Sequence, residues 1–371
     1  MNRANLLKLS ARLGAALAFA ANMTLGCHAQ DLPTLPDYVP HEHVSGTIRS
    51  SGNDQMAGLM KRWERAFMKY QPDVRFVDTL KGTASGIYGL EMRTADIALM
   101  GRAMNPFERY GTYERSWTYP VEIEVATGSA YMPRKSPAFA IFVHRDNPLS
   151  KLTLKQLDGI FGAERGGGWK ALSWDEDAAR PSGQNIRTWG ALGLKGDWID
   201  KPIHVYGPPS QGAGAVTFFQ ARVLNGGAMW NEDLREYADR GRMMADLARD
   251  PYGVAYAASS YGNDQVKPLA LAETDAGPYV SLDKANVANR RYPLARPVYV
   301  VYTIDNERSE IADPRVDPKV REFLSFILSR QGQEAVAQEG SYLPLPLKVV
   351  QEQIRKLDSK ETPPEKLLLG E

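Results

Sequence analysis

The chain has 371 residues, of which 43% are hydrophobic and 24% are charged. This composition is typical of a folded globular protein and excludes an intrinsically disordered chain, and the length predicts about two domains. Residues 1–29 hold three cations and no Asp or Glu, so their removal turns the net charge of +1 into about −2. Because the remaining chain is not basic, we expect no nucleic-acid partner.

The N-terminal segment has the pattern of a secretory signal peptide. Three basic residues accompany the apolar run LGAALAFAANMTLG (13–26), which is too short to span a membrane, and small residues at Cys27 and Ala29 suit a cleavage site. We therefore expect residues 1–29 to be removed and the protein to lie in the periplasm. The alternative is a lipobox ending at Cys27, which would leave that residue lipid-anchored. Cys27 is the single cysteine, so no disulfide is expected.

The segment that follows is rich in proline, and secondary structure begins after it. Residues 30–43 hold three prolines without periodicity and predict an exposed linker. Strands are predicted at 46–50, 74–80, 95–100, 121–127, 138–144, 203–206, 253–257, 267–272 and 297–303. Helices are predicted near 56–70, 152–161, 215–225, 231–248, 317–330 and 332–339, and the charged tail 347–371 is expected to be surface-bound or frayed. Alternating strands and helices predict an α/β protein with mostly parallel sheets.

Three strand-to-helix turns share the same chemistry. They are SSGND (50–54), KGTASG (81–86) and YGPPSQGAG (206–214), each rich in glycine and small polar residues. One such turn is a weak signal, because any tight turn favours glycine. In α/β sheets, however, ligands bind beyond the carboxyl ends of strands, where helix N-termini present free N–H groups. Three turns together therefore predict that backbone donors converge on one small anion.

Motifs for catalysis and for metal binding are missing from the sequence. No Gly-Lys-Ser/Thr follows the glycines, and neither G-x-S-x-G nor H-E-x-x-H occurs. His41 and His43 have no third ligand nearby in the sequence, so they do not predict a metal site. We predict a protein that is not an enzyme and that uses neither a cofactor nor a metal ion.

Seven stretches, distributed over residues 44–346, resemble a known family. They are SSGNDQMAGLMKRWERAF, KGTASGIYGLEMRTADIALMGRAM, FAIFVHRDNPLSKLTLKQLDGIF, TWGALGLKGDW, KPIHVYG, YPLARPVYVVY and FLSFILSRQGQEAVAQEGSYLPLP. In kind and order they resemble the PstS-like phosphate-binding proteins of ABC importers, which have a type II-like periplasmic-binding-protein fold. The resemblance implies two α/β lobes around a ligand cleft, a monomer, and a membrane permease as partner. Lobe I would be 44–136 plus 266–346, and lobe II would be 137–265.

The resemblance also implies where the ligand is bound. The implied ligand-binding residues are Asn53, Asp54, Gln55, Thr83, Ser85, Arg102, Ser210, Gln211, Gly212, Ala213 and Gly214. Thr83 and Ser85 match the family, and Asp54 is expected to cap the following helix although its carboxylate would repel phosphate. In the third turn the family's Arg falls on Pro208 or Pro209, and its Ser-Gly-Thr falls within 212–215, so only backbone donors remain there.

Two functions remain open at this point. The first is an extracytoplasmic protein that binds phosphate or a related small oxyanion for ABC import. The alternative is a binding-protein fold with altered or lost ligand specificity, acting as a sensor or accessory protein. Losing one Arg and about three hydroxyls would cost several kcal/mol, or about three decades or more in affinity.

Overall fold

The structure is a computed structural model that describes residues 32–116, 118–170, 173–211, 214–225, 229–305 and 316–359. The predicted signal peptide lies outside these residues. The strands are β1 (Gly46–Gly52), β2 (Val74–Leu80), β3 (Ile97–Met100), β4 (Thr118–Thr127), β5 (Phe139–His144), β6 (Lys151–Thr153), β7 (Gly168–Lys170), β8 (Ser173–Asp175), β9 (His204–Gly207), β10 (Arg235–Glu236), β11 (Gly253–Ala258), β12 (Val266–Pro268), β13 (Ala270–Ala272) and β14 (Pro297–Asp305). The α-helices are α1 (Ala57–Phe67), α2 (Thr83–Glu91), α3 (Pro106–Ser116), α4 (Leu154–Phe161), α5 (Ala215–Val223), α6 (Arg240–Leu247), α7 (Lys284–Ala288), α8 (Pro318–Leu328), α9 (Arg330–Glu339) and α10 (Leu347–Asp358). None of the helices in these ranges combines the length and apolar character that a membrane crossing requires.

The first sheet has the strand order β2-β1-β3-β14-β4. β1 runs parallel to β2 and β3, whereas β14 runs antiparallel to β3 and β4. Apolar residues recur at helical spacing in α1, so Leu59, Trp63 and Phe67 form one buried face in the core of this sheet. Gly52 pairs with Leu99 at the carboxyl ends of β1 and β3. The turns that follow these two strands therefore lie side by side.

The second sheet has the order β10-β9-β11-β5-β12. β9 runs parallel to β10 and β11, and β5 runs antiparallel to β11 and β12. Its core contains a stack in which the ring centroids of Phe219, from α5, and Tyr256, from β11, are 4.0 Å apart. The predicted α/β fold is confirmed, although each of these two sheets has two parallel and two antiparallel strand pairings, whereas the sequence predicted mostly parallel sheets.

The chain crosses between the two sheets twice, and the two crossings touch. Residues 128–138 lead from β4 to β5, and residues 289–296 lead back to β14. The N–H of Gly128 donates to the carbonyl of Arg296 at 2.7 Å. Val266–Pro268 pair with β5, and apolar residues between Leu269 and Ala295 pack in the second core. We therefore propose that the lobe boundary lies near residue 296, in place of the boundary at 265/266 predicted from the sequence.

The segments at the two ends of the described chain pack on the first core. Leu35 and Tyr38, within the stretch predicted as an exposed linker, are only 4% and 6% exposed. The hydroxyl of Tyr38 donates to Glu322 Oε2 at 2.5 Å, so this stretch is tied to α8. In the tail predicted to be surface-bound or frayed, α10 buries Val350 and Leu357 in the same core.

Two predicted elements differ from those in the structure. The strand predicted over 267–272 is divided into β12, which pairs with β5 in the second sheet, and β13, which pairs with β6 in a separate two-stranded sheet. The helix predicted over 231–248 begins only at Arg240, where Asp239 Oδ1 accepts the N–H groups of residues 241 and 242.

Candidate ligand site between the two sheets

The first turn leads from β1 into α1 through a short 3-10 turn, Asp54–Met56, which Asn53 caps. Asn53 Oδ1 accepts the N–H of Gln55 at 3.0 Å, and its own N–H donates to Leu99 O at 2.8 Å. Met56 stands at the N-cap of α1 without a side-chain hydrogen bond, so the prediction that Asp54 caps this helix is wrong. Asp54 is exposed and its carboxylate lies 3.5 Å from Arg134 Nη2. The Nδ2 donor of Asn53 makes no hydrogen bond to any described residue, so it is free for a ligand.

Gln55 holds the first crossing and does not extend into open space. Its Oε1 accepts the N–H of Ser136 at 3.4 Å, and its carbonyl accepts hydrogen bonds from the Tyr342 hydroxyl and Lys135 Nζ. These contacts fix the segment 128–138 against the first turn. Gln55 thus helps to position Ser136.

The second turn contains two hydroxyls: that of Thr83 contacts the neighbouring turn, and that of Ser85 is hydrogen-bonded within its own turn. Gly82, at φ +104°, precedes α2 and its carbonyl accepts the N–H of Ser85 at 3.0 Å, so the N–H groups of Thr83 and Ala84 are the first-turn donors without a partner within the helix. Thr83 Oγ1 accepts the N–H of Gly101 at 3.3 Å. Ser85 Oγ donates to Gly82 O at 2.8 Å, so its proton is already used in the turn. Thr83 therefore faces the region beyond β3, and Ser85 stabilises the start of the helix.

Polar atoms from three separate segments meet around Gly101. A Cβ built on Gly101 would lie 2.5 Å from Asn53 Nδ2, 3.2 Å from Ser136 Oγ and 3.5 Å from Thr83 Oγ1. Asn53 and Ser136 are only 5% and 2% exposed. Ser136 adopts φ +46°, a conformation that is rare outside glycine and often marks a functional site. The arrangement forms a small group of hydrogen-bond donors that we call the Gly101 cluster: Asn53, Thr83, Gly101 and Ser136.

Arg102, which the resemblance implied as a ligand-binding residue, is not a free cation. Its two terminal nitrogens contact Glu108 Oε1 and Oε2, each at 2.6 Å, in a bidentate ion pair. Such a pair neutralises the charge of the guanidinium. Its Nε is buried without a hydrogen-bond partner in the described part of the chain.

Arg296, on the second crossing, contacts the Gly101 cluster through the carbonyl of Gly101. Its Nη2 donates to Gly101 O at 3.1 Å, and its guanidinium lies 5.4 Å and 5.6 Å from the ring centroids of Phe139 and Phe218. Burial, with a smaller contribution from repulsion by Arg102, lowers the pKa of Arg296 to about 10, so it stays protonated at neutral pH. The sequence analysis missed this residue, although its segment, YPLARPVYVVY, was one of those that carried the family resemblance.

The third turn binds a carboxylate of the protein itself. The N–H of Ser210 donates to Glu236 Oε1 at 2.8 Å, and contacts with Ser210 lower the pKa of Glu236. Gln211 is exposed, and Gly214, at φ +66°, precedes α5. Gly212 and Ala213 lie outside the described residues. Because the Glu236 carboxylate already occupies this N–H, the described part of the turn is a poor anion cradle.

A cavity of about 430 Å³ separates the Arg102 segment from α5. It is lined by Arg102, Ala103, Met104, Asn105, Pro106, Phe107, Thr217, Phe218, Gln220, Ala221 and Asn225. Residues 102–107 follow the first sheet and residues 217–225 belong to the second, so this space is a cleft between the two halves. Among the described residues no group of three or more His, Cys, Asp or Glu side chains is placed to hold a metal ion.

Known proteins share this architecture and part of this sequence. Residues 39–331 match the family model of the PBP superfamily domain. The chain is 32% identical to the phosphate-binding protein PstS of Pseudomonas aeruginosa, over 93% of this chain and 98% of that protein. An ABC-type phosphate transport receptor from Vibrio cholerae has TM-score 0.50 and 20% identity, covering 80% of this chain and 99% of that chain. PstS from Borrelia burgdorferi has TM-score 0.52 and 16% identity, covering 81% and 99%. These two structures support the fold.

Proposed function

The chain belongs to the PBP superfamily and, within it, to the PstS phosphate-binding proteins, and on that premise we propose that it binds phosphate or a related small oxyanion. The observation that supports this most directly is the Gly101 cluster. The available donors are Asn53 Nδ2, the hydroxyls of Thr83 and Ser136, and the N–H groups of Thr83 and Ala84 at the start of α2. A group of donors without a carboxylate among its members suits an anion that carries several acceptor oxygens.

We propose a monomeric periplasmic receptor that takes up the anion in the cleft between the two halves and delivers it to an ABC permease. Proteins of two lobes joined by crossing segments change shape by hinge motion, and a ligand that contacts both lobes favours the closed form. The proposed role is binding and delivery, without catalysis.

Calorimetric titration of the mature chain with inorganic phosphate at neutral pH tests the proposal. We expect saturable binding of one phosphate per chain, with sodium chloride at equal ionic strength giving no binding heat. Hydrogen bonds to a charged group contribute about 1.5–3 kcal/mol each, so three or four of them exceed the lower estimates of the cost of association. No binding at millimolar phosphate would refute the proposal.

A second candidate function follows from the third turn. Because the Ser210 N–H binds Glu236, this turn favours a ligand with less negative charge than phosphate, as expected if the specificity has changed. A thermal-shift panel of phosphate, sulfate, phosphonates, sugars and amino acids separates the two functions. Stabilisation by phosphate alone supports the first function, whereas stabilisation by a neutral ligand alone supports the second.

A further inference from the structure

We propose that Arg296 is the cationic ligand residue of the oxyanion site and takes the place of the cation that the third turn lacks. The inference rests on the proposed function, and it names a residue on the second crossing that neither the turns nor the family pattern indicated. Its basis is the environment of the guanidinium: one hydrogen bond, two aromatic rings, and no carboxylate of the described chain in an ion pair with it.

The other cations around the Gly101 cluster are already paired. Arg102 is held by Glu108 through two 2.6 Å contacts. Lys135 Nζ lies 2.9 Å from Glu339 Oε1. Arg134 is exposed and faces Asp54. Within the described ranges, Arg296 is therefore the cation at this cluster whose charge no carboxylate neutralises.

The position of Arg296 is fixed from three sides. Its backbone carbonyl accepts the N–H of Gly128, its Nη2 donates to Gly101 O, and its guanidinium packs against Phe139 and Phe218. A guanidinium carries five N–H donors, and only one hydrogen bond of this side chain is made within the described protein. Nε is buried without a partner, so a donor is held away from water and ready for an acceptor.

An uncompensated, partly buried cation destabilises a protein unless something binds it. Removing the charge from water carries a desolvation cost that an ion pair or hydrogen bonds normally offset. Here a bound oxyanion supplies that compensation, because a planar guanidinium presents two parallel donors to a tetrahedral anion. The same contact joins the two halves, since Gly101 follows the first sheet and Phe218 belongs to α5 beside the second.

The test is to replace Arg296 and to measure both phosphate affinity and stability without ligand. For Arg296→Gln we expect the Kd for inorganic phosphate to rise about a hundredfold or more, because charge-assisted hydrogen bonds are lost. The Tm without ligand should be unchanged or higher, since a desolvated charge has been removed. Arg296→Lys keeps the charge but not the paired donors, so its Kd should lie between those of the wild type and Arg296→Gln.

Arg290→Gln is the matched control on the same crossing. Arg290 pairs with Glu124 at 3.0 Å and with the Thr127 hydroxyl, so the control should lower the Tm but change the Kd by less than about threefold. A wild-type protein that binds phosphate while Arg296→Gln binds it equally well would overturn the inference and leave the proposed function standing. A wild-type protein that does not bind phosphate would refute the proposed function itself.

Discussion

Gly101→Ala should separate ligand binding from folding, because the new methyl group would meet the donors of the site. The added Cβ would lie 2.5 Å from Asn53 Nδ2 and 3.2 Å from Ser136 Oγ. Gly101 is not among the glycines with positive φ, so alanine introduces no backbone strain of its own. The Asn53 amide must move to a normal contact distance, and the donor that faces the cluster moves with it.

The size of the effect follows from the two roles of Asn53. Loss of one charge-assisted hydrogen bond to the anion would weaken binding by about 1.5–3 kcal/mol, which is about 10- to 150-fold in Kd. Rotation of the amide also disturbs the cap on the Gln55 N–H, which would lower the free energy of unfolding by about 0.5–2 kcal/mol. Calorimetric titration with phosphate gives the first quantity, and urea unfolding without phosphate gives the second.

Two comparisons test whether Gly101→Ala changes the Kd and the stability by displacing Asn53. In Gly183→Ala the new Cβ meets no atom within 4 Å, so both Kd and stability should stay near the wild-type values. In the double-mutant cycle with Asn53→Ala, Gly101→Ala should add little once the amide is gone. A Gly101→Ala protein whose Kd stays within twofold of the wild type would refute the assignment of this cluster to the ligand.

Two further predictions concern buried polar groups of the first core. Burial and a hydrogen bond with Asp78 raise the pKa of Glu64 to about 7 from 4.5. Protonated Glu64 therefore contributes about 1–3 kcal/mol to the free energy of unfolding. This contribution is present below pH 4.5 and is lost as the pH rises through 7. Urea unfolding at pH 5 and at pH 8 measures this loss, and in Glu64→Gln the free energy of unfolding should no longer fall between the two pH values. A Glu64→Gln protein that loses as much stability as the wild type would contradict the prediction. Tyr38→Phe leaves the buried Glu322 without its 2.5 Å donor and should cost about 1–3 kcal/mol in urea unfolding. Tyr70→Phe is its control, and equal stability of the two variants would disprove the role of the hydroxyl.

The turns could be predicted from the sequence because their chemistry is local. Gly52 adopts φ +125° and leaves no room for a side chain, since a Cβ there would lie 2.2 Å from Leu99 O. Thr83 follows Gly82, at φ +104°, and begins α2. A glycine followed by a small polar residue, directly after a predicted strand, is enough to predict such a turn from the sequence. The ion pair of Arg102 was also within reach of the sequence, because Glu108 follows it by only six residues.

Ser136 and Arg296 could not be found in the same way. Ser136 lies 35 residues after Gly101 and Arg296 lies 195 residues after it, as the numbering shows. No periodicity connects residues on two crossing segments, and their meeting point depends on how the two sheets are joined. The pairing of the Ser210 N–H with Glu236 likewise results from the contact of β9 with β10. Local patterns thus identified the strand ends, while the charges at the site depended on tertiary contacts.

The change in the third turn need not mean that oxyanion binding has been lost. In the described structure, hydrogen-bond donors come from turns of the first sheet, and the unpaired charge comes from Arg296 on a crossing segment. A cation there contacts Gly101 on one side and Phe218 on the other, so its position depends on how the two halves are arranged. Ligand affinity should then be coupled to the geometry of the crossing itself, because closing the cleft and orienting the guanidinium involve the same residues.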